Sequence, residues 1–263
     1  MPTADTGFFG WVWFFVQSYG PMFLRGAGTT LFIALTGTIA GFLIGLGVGI
    51  VRTFPCRKED GMWKYLLMKL VRGILAAYIE VFRSTPMIVQ AMVIYYGCAQ
   101  ALHINMPYLL AAFVIVSINT GAYLSEIIRG GIQSVDPGQK EAAVAIGMTH
   151  WQTMLHVILP QAIRNVLPAL GNEFIVNIKD TSVLNVISVT ELFFISKSAA
   201  GTYFKYFEVF FITSVIYFVM TFAFTRLLRW VEKKMDGPEN YRIHGSQTVM
   251  EGEMQVKEAT DDE

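Results

Sequence analysis

The stretch Leu31-Phe-Ile-Ala-Leu-Thr-Gly37-Thr-Ile-Ala-Gly41-Phe-Leu-Ile-Gly45-Leu-Gly-Val-Gly49-Ile-Val51 runs for twenty-one residues without an ionisable side chain. At ~1.5 Å per residue it covers the roughly 30 Å hydrocarbon core of a bilayer. Water is missing there, so backbone N–H and C=O groups must pair within the segment, and the stretch reads as a membrane-spanning α-helix. Gly37, Gly41, Gly45 and Gly49 form three overlapping G-x-x-x-G steps on one slowly drifting face. Lipid gives no hydrophobic drive for helix association, so this face predicts close approach of a second helix. It is a packing signal and carries no chemistry.

The rest of the chain agrees with a membrane class. Its 263 residues are 54% hydrophobic and 15% charged, with mean hydropathy +0.47. Soluble domains carry about 25% charge and about 45–50% apolar residues, so the composition lies outside that class in both directions. Disorder, collagen and nucleic-acid binding are excluded by the apolar content and by the balance of 20 Lys+Arg against 20 Asp+Glu. Cys56 and Cys98 cannot build a disulfide framework and have no metal-ligand spacing with the four histidines. His150 and His156 share no helix face and have no carboxylate beside them, so neither metal nor catalytic chemistry is expected there.

An all-α fold of five transmembrane helices is expected, with spans at about 31–51, 73–101, 108–128, 166–196 and 206–228. Residues 1–24 are expected to form a separate interfacial segment on the outer side. They are rich in Phe and Trp, and they have neither the leading positive charge nor the cleavage site of a signal peptide. Fifteen Lys and Arg residues gather on one side of this arrangement and three, Arg25, Lys197 and Lys205, on the other. The positive-inside rule then puts the N-terminus outside and the C-terminus in the cytoplasm. Residues 231–263 are expected to be a disordered acidic tail. From 236 onward the tail holds eight acids against two bases, so the neutral total hides a basic membrane body.

Two regions carry functional signals. In the fourth span Glu173, Asn177, Asp180 and Thr181 fall at i, i+4, i+7 and i+8, one polar stripe about 100° wide on a helix. Carboxylates at bilayer depth are costly, and a pathway for solute or protons is the usual reason to keep them; pairing of Asp180 with a basic group on a neighbouring helix or subunit is the alternative. In the third span Ser117, Asn119 and Thr120 are polar, and Glu126 with Arg129 at i, i+3 reads as an ion pair at the cytoplasmic boundary. The second region is the loop 136–160. Asp136 can cap a helix that starts at Pro137, with Gln139 at the reciprocal capping-box position and Gly147 as the stop. Thr149 with Gln152 repeats the start signal, and Pro160 disfavours continuation through Leu159. Two short helices joined by a sharp glycine turn are predicted, with Ala142, Ala143 and Ala145 leaving the first open to close grip.

Glu141-Ala142-Ala143, then Gly147, then Leu159-Pro160 resembles the EAA loop of permease subunits of ATP-binding-cassette importers, with Val157 where that family often has isoleucine. Glu80-Val-Phe-Arg-Ser-Thr-Pro86, Gly121-Ala-Tyr-Leu-Ser-Glu126 and Lys179-Asp-Thr-Ser-Val183 resemble its polar amino acid uptake branch. The resemblance covers residues 25–230 and implies a type I importer permease fold in a bacterial cytoplasmic (inner) membrane. It further implies that Glu141, Ala142, Ala143, Gly147, Leu159 and Pro160 form a coupling element seated on a cytoplasmic ATPase dimer. A second permease, identical or related, would complete the path, and an extracytoplasmic binding protein would deliver an amino acid. The chain has no G-x-x-x-x-G-K-[ST] phosphate loop, so no cofactor is expected on it, and ATP and Mg would be used by the partner.

Glu173, Asn177, Asp180 and Thr181 are the expected substrate-path residues. A carboxylate there suits the ammonium or a basic side chain of an amino acid. Arg83, beside Ser84, Thr85 and Pro86, either shapes a break in the second span or binds partner carbonyls. An ion-coupled secondary transporter would also carry intramembrane carboxylates, but five spans without a visible repeat do not make two equal halves. A membrane-embedded enzyme would need a convergent nucleophile, metal or carboxylate site, and none is visible.

Overall fold

The computed structural model describes residues 6–54 and 61–235, and every regular element among them is helical. The glycine-bearing stretch forms the second half of α1 (Phe8–Thr53), one helix of 46 residues and about 69 Å. The aromatic segment expected to stand apart is therefore continuous with the first span from Phe8 onward. Pro21 lies inside α1 without ending it. Trp11, Phe15 and Tyr19 recur at four-residue spacing and all three rings meet Tyr203, so tertiary contact holds the stretch before the proline in line.

The partner that the glycine face predicts is α4 (Tyr108–Gln133). A Cβ at Gly41 would stand 2.7 Å from Thr120 Cβ, and one at Gly45 would stand 2.9 Å from both Leu124 Cβ and the Ser125 nitrogen. Gly37 and Gly49 face Val116 and Ile128. Both helices advance by four residues per contact in the same direction, so they run parallel with their i±4 rows meeting along the seam.

The span expected at 73–101 is divided into α2 (Met62–Ser84) and α3 (Met87–Ala101). Pro86 has no N–H to donate, and Thr85 before it is extended at φ −117°, ψ 144°. The carbonyls freed at this break are not left bare. Gln90 Nε2 donates to the Phe82 and Thr85 oxygens at 2.9 Å each, and Asn119 Nδ2 of α4 donates to Gln90 Oε1 at 2.8 Å.

After α4 come α5 (Pro137–Ala145) and α6 (His150–Thr153). The second short helix expected from Pro160 does not end there. α6 passes through a π turn, Met154–Ile158, directly into α7 (Leu159–Asp180). The Leu159 N–H bonds back five residues to the Met154 oxygen, and this wider turn accommodates both the missing donor and the ring of Pro160. α7 runs on into a 3₁₀ turn, Thr181–Ile187, which Ser188 ends in a left-handed conformation at φ +64°. α8 (Leu192–Tyr203) departs at 56°, so the span expected at 166–196 is bent, and α9 (Tyr206–Met235) follows.

Among the described residues three helices, Phe8–Thr53, Tyr108–Gln133 and Tyr206–Lys234, are long and apolar enough to cross a membrane, and a fourth crossing results if the bent pair is one span. With 15 residues, α3 is apolar but short, so the second of the five expected spans is not a single crossing helix. Of the tail expected at 231–263, residues 231–235 complete α9, and 236–263 lie outside the described residues, as does Cys56.

Three buried clusters hold these helices together. Phe15, Phe23, Ile178, Leu192 and Val209 join α1 to α7, α8 and α9. Ile33, Ile115, Leu184 and Ile187 close the middle. Ile128, Ile132, Met154, Ile158 and Val166 fix the π turn and the start of α7 to the end of α4.

Candidate functional site

The elbow is built from its caps inward. Asp136 accepts the Gly138 N–H at 2.7 Å and starts α5, without the reciprocal Gln139 contact; at α6 the Thr149–Gln152 capping box is complete in both directions. Gly147 sits at φ +84°, its N–H donating to the Val144 oxygen at 3.0 Å while the Met148 N–H donates to the Ala143 oxygen at 3.0 Å. These two bonds make a Schellman stop. The left-handed φ, costing a non-glycine residue roughly 1–2 kcal/mol, explains the glycine.

The EAA-type residues divide by exposure. Ala143 and Leu159 are buried, whereas Glu141, Ala142, Gly147 and Pro160 are exposed, with Val144 and Ile146 beside them at 57% and 79% exposure. A charged and apolar face thus points away from the chain while the small residue beneath it anchors α5. Above the elbow a cavity of about 450 Å³ opens between the ends of α1 and α4 and helices α5 and α6, lined by Arg52, Arg129, Asp136, Lys140 and His150.

At the same end Glu126 binds Arg129, with Oε2 accepting from Nη2 at 2.8 Å and from Nε at 3.0 Å. This is the pair that the i, i+3 spacing predicts. Arg52 adds a second bond to the same carboxylate and joins α1 to α4. The sequence carried no signal for Arg52, which lies 74 residues from Glu126. Of the two histidines in this loop, His150 meets the Phe54 ring edge-on with centroids 5.0 Å apart, and His156 Nδ1 lies 3.1 Å from the Gln152 oxygen.

The polar stripe of α7 splits along its length. Asn177 is buried and ties three helices together, donating from Nδ2 to Thr38 Oγ1 of α1 at 2.8 Å and to Thr120 Oγ1 of α4 at 3.0 Å. Thr181 is also buried, and its hydroxyl donates to the Ile178 oxygen at 3.1 Å. Glu173 is half-buried and Asp180 exposed, and neither makes a hydrogen bond or an ion pair among the described residues. The inner edge of the stripe is therefore a bundle cross-link, and the outer edge presents two carboxylates without a hydrogen bond or ion pair among the described residues, with the Lys179 charge beside Asp180.

A third polar centre escaped the sequence reading. Glu191 is fully buried where the bent span restarts. Its carboxylate accepts the Phe193 and Phe194 N–H groups at 2.8 and 2.7 Å, Tyr217 Oη at 3.1 Å and Thr30 Oγ1 at 3.4 Å. One side chain thus caps α8 and connects it to α1 and α9. Glu is not among the residues favoured at helix N-caps, so the sequence carries no signal for this role.

The profile of the family described as "Binding-protein-dependent transport system inner membrane component" matches residues 61–237. The chain is 37% identical over 216 residues to the glutamine transport system permease protein GlnP of Escherichia coli (strain K12), covering 82% of this chain and 93% of the relative. It is 34% identical over 215 residues to the arginine transport system permease protein ArtQ of Bacillus subtilis (strain 168), with coverage of 82% and 93%. Among solved structures, a chain of an amino acid ABC transporter crystallised with histidines superposes at TM-score 0.74 with 39% identity, covering 88% of this chain and 99% of that one. A chain of the inward-facing MetNI methionine ABC transporter superposes at TM-score 0.62 with 21% identity, covering 80% and 96%, a likeness of fold.

Proposed function

Because the chain belongs to the family of binding-protein-dependent transport system inner membrane components, we propose that it forms half of a translocation path for an amino acid and couples that path to ATP through its cytoplasmic elbow. The chain is a multi-pass inner-membrane permease subunit of an ATP-binding-cassette importer, a transport component whose ATP hydrolysis belongs to a separate ATPase. The relatives and solved neighbours are permeases of such importers, which favours this reading over an ion-coupled secondary transporter.

Within the proposal, five crossings place the N-terminus outside and the C-terminus in the cytoplasm. The exposed residues Glu141, Ala142, Val144 and Ile146 seat α5 in the ATPase, which uses ATP and Mg. A second permease, identical or related, faces the carboxylate edge of α7, and an extracytoplasmic binding protein delivers the amino acid. Lipid is a poor neighbour for Glu173 and Asp180, and a wet path between two permeases is a suitable one.

The carrying observation is mechanical. Residues 150–180 run from the elbow to Asp180 as one helix through the π turn, and the cluster around Ile132, Met154 and Ile158 fixes its base. Closure of an ATPase dimer would displace the elbow and move the carboxylate edge with it, shifting a two-state equilibrium between outward and inward openings.

The test separates the two ends of this lever in the assembled, reconstituted transporter. Gly147→Val should lose ATPase co-purification or substrate-stimulated ATP turnover. Asp180→Ala should keep both and lose uptake. Unchanged coupling in the first variant removes the elbow from its assigned role, and unchanged uptake kinetics in the second remove Asp180 from the path.

A further inference from the structure

The cavity of about 450 Å³ above the elbow carries more positive than negative charge. Arg52, Arg129 and Lys140 line it together with one acid, Asp136, whose carboxylate already accepts the Gly138 N–H. Glu126 binds both arginines, and Lys140 is left without an ion pair among the described residues. Lys140 is exposed on α5, yet its charge acts inside the cavity: burial first, and Lys140 second, hold the His150 imidazole below the usual histidine range. His150 Nε2 is buried and has no hydrogen-bond partner among the described residues. Walls of one sign around a partly dry space focus the field, so this cavity suits an anion.

The chain carries such an anion and delivers it to the same end of the molecule. Residues 251–263 hold Glu251, Glu253, Glu258, Asp261, Asp262 and Glu263 against Lys257 alone, whereas Arg57, Lys58, Glu59 and Asp60, which follow α1 in sequence, cancel. α9 runs antiparallel to α7, with Phe224 against Phe174 and Leu228 opposite Gly171. Seven residues after Leu228, at ~1.5 Å each, Met235 has come about 10 Å closer to the base of α7, where the elbow begins. Residues 236–250 can then span up to about 50 Å at roughly 3.3 Å each, several times the spacing of about 8–10 Å between packed helices. The acidic run therefore reaches the cavity.

We propose that the cavity above the elbow is a docking site for the chain's own acidic segment 251–263. A carboxylate of the segment pairs with Lys140 at the mouth, and His150 donates to it from Nε2. Charge-assisted bonds of this kind are the strong ones, and the tether keeps the ligand near its site. Docked, the segment joins α5 to the ends of α1 and α4, across the joint that the elbow has to move if it couples to an ATPase. The docking itself does not depend on that coupling.

The experiment uses the complete transporter in detergent at low ionic strength. The acetylation rate of each lysine is followed by mass spectrometry in the full chain and in a chain that stops at Met250. A tethered segment meets its site at an effective concentration of about 1 mM or more, so a site of millimolar affinity is at least half-filled, and Lys140 should react about twofold faster or more once 251–263 are removed. Lys64 and Lys69, exposed on α2, report the general effect of the segment's charge and should change less. The difference at Lys140 should vanish in about 1 M salt, where the screening length is about 3 Å. A carbodiimide, which joins an amine to a carboxylate in contact with it, should link Lys140 to an acid of 251–263 in the full chain. Equal Lys140 rates in the two chains, an equal gain at Lys64 and Lys69, or a segment that links only to lysines of the ATPase overturns the proposal. Should the shortened chain not assemble, a full-length chain with the six acids replaced by their amides gives the same comparison.

Discussion

Replacing Gly45 by alanine puts one methyl group into the α1–α4 seam where nothing can yield cheaply. The added Cβ would lie 2.9 Å from Leu124 Cβ and from the Ser125 nitrogen and 3.0 Å from the Leu124 carbonyl carbon, so two of its three neighbours are backbone. Carbon contacts are optimal at about 3.5–4.0 Å, so the helices must separate locally by several tenths of an ångström or more. Gly41 and Gly49 on either side lose contact with Thr120 and Ile128 as they do so, and Thr120 carries the Asn177 bridge. Overpacking of this kind costs about 1–3 kcal/mol. In a chain of this size that is a drop of roughly 3–10 °C in thermal midpoint. Gly47 supplies the control, because a Cβ there meets nothing within 4 Å. Gly47→Ala should be neutral or stabilising by up to about 1 kcal/mol, since alanine is the better helix former. Differential scanning fluorimetry of both variants in one detergent checks the pair. Equal midpoints for Gly45→Ala and Gly47→Ala would refute a seam set by backbone approach.

Three further outcomes follow from the polar centres. Asn177→Ala removes the donor to Thr38 and Thr120, and interhelical bonds in membranes average about 0.6 kcal/mol with a maximum near 1.7, so a loss of about 1–2 kcal/mol is expected in a thermal or denaturant titration. Glu191→Gln leaves one oxygen where two now serve four donors, and it should cost about 1–3 kcal/mol; Glu191→Ala should cost more, with faster proteolysis near Ser188 as the local readout. Arg52→Ala leaves Glu126 paired with Arg129, so stability should fall by less than about 1 kcal/mol at this half-exposed site, and the loss should shrink further in high salt.

How far these features were legible in the sequence depends on the range of the interaction behind each one. The Leu31–Val51 helix follows from the solvent alone. The caps at Asp136, Gly147 and Thr149 depend on neighbours two to five residues away, and their start and stop signals predict the helix ends that form, apart from the Gln139 half of the first capping box. Pro160 was misleading for the same reason: a local rule ends a helix there, but packing of Met154 and Ile158 on α4 favours a π turn that carries the helix through. Glycines predicted a close partner for α1 without naming α4, since spacing records only one side of a contact. Glu191 and Arg52 were invisible because their partners are separated from them by as many as 161 and 74 residues.

The division of the α7 stripe shows what periodicity can and cannot decide about function. A 100° polar arc places Glu173, Asn177, Asp180 and Thr181 together by angle, but two environments meet within that arc. Its inner edge contacts Thr38 and Thr120, which stand on the very glycine seam that brings α1 against α4. The tight packing of the seam and the polar bridge are thus one device, since only a glycine opposite Thr120 lets α1 come close enough for Thr38 to reach Asn177. The outer edge then keeps its carboxylates unpaired because the bridge has fixed the rotation of α7. A substitution that loosens the seam should therefore disturb the path without touching it, so Gly41→Ala should reduce uptake as well as stability, whereas Gly47→Ala should change neither for the worse.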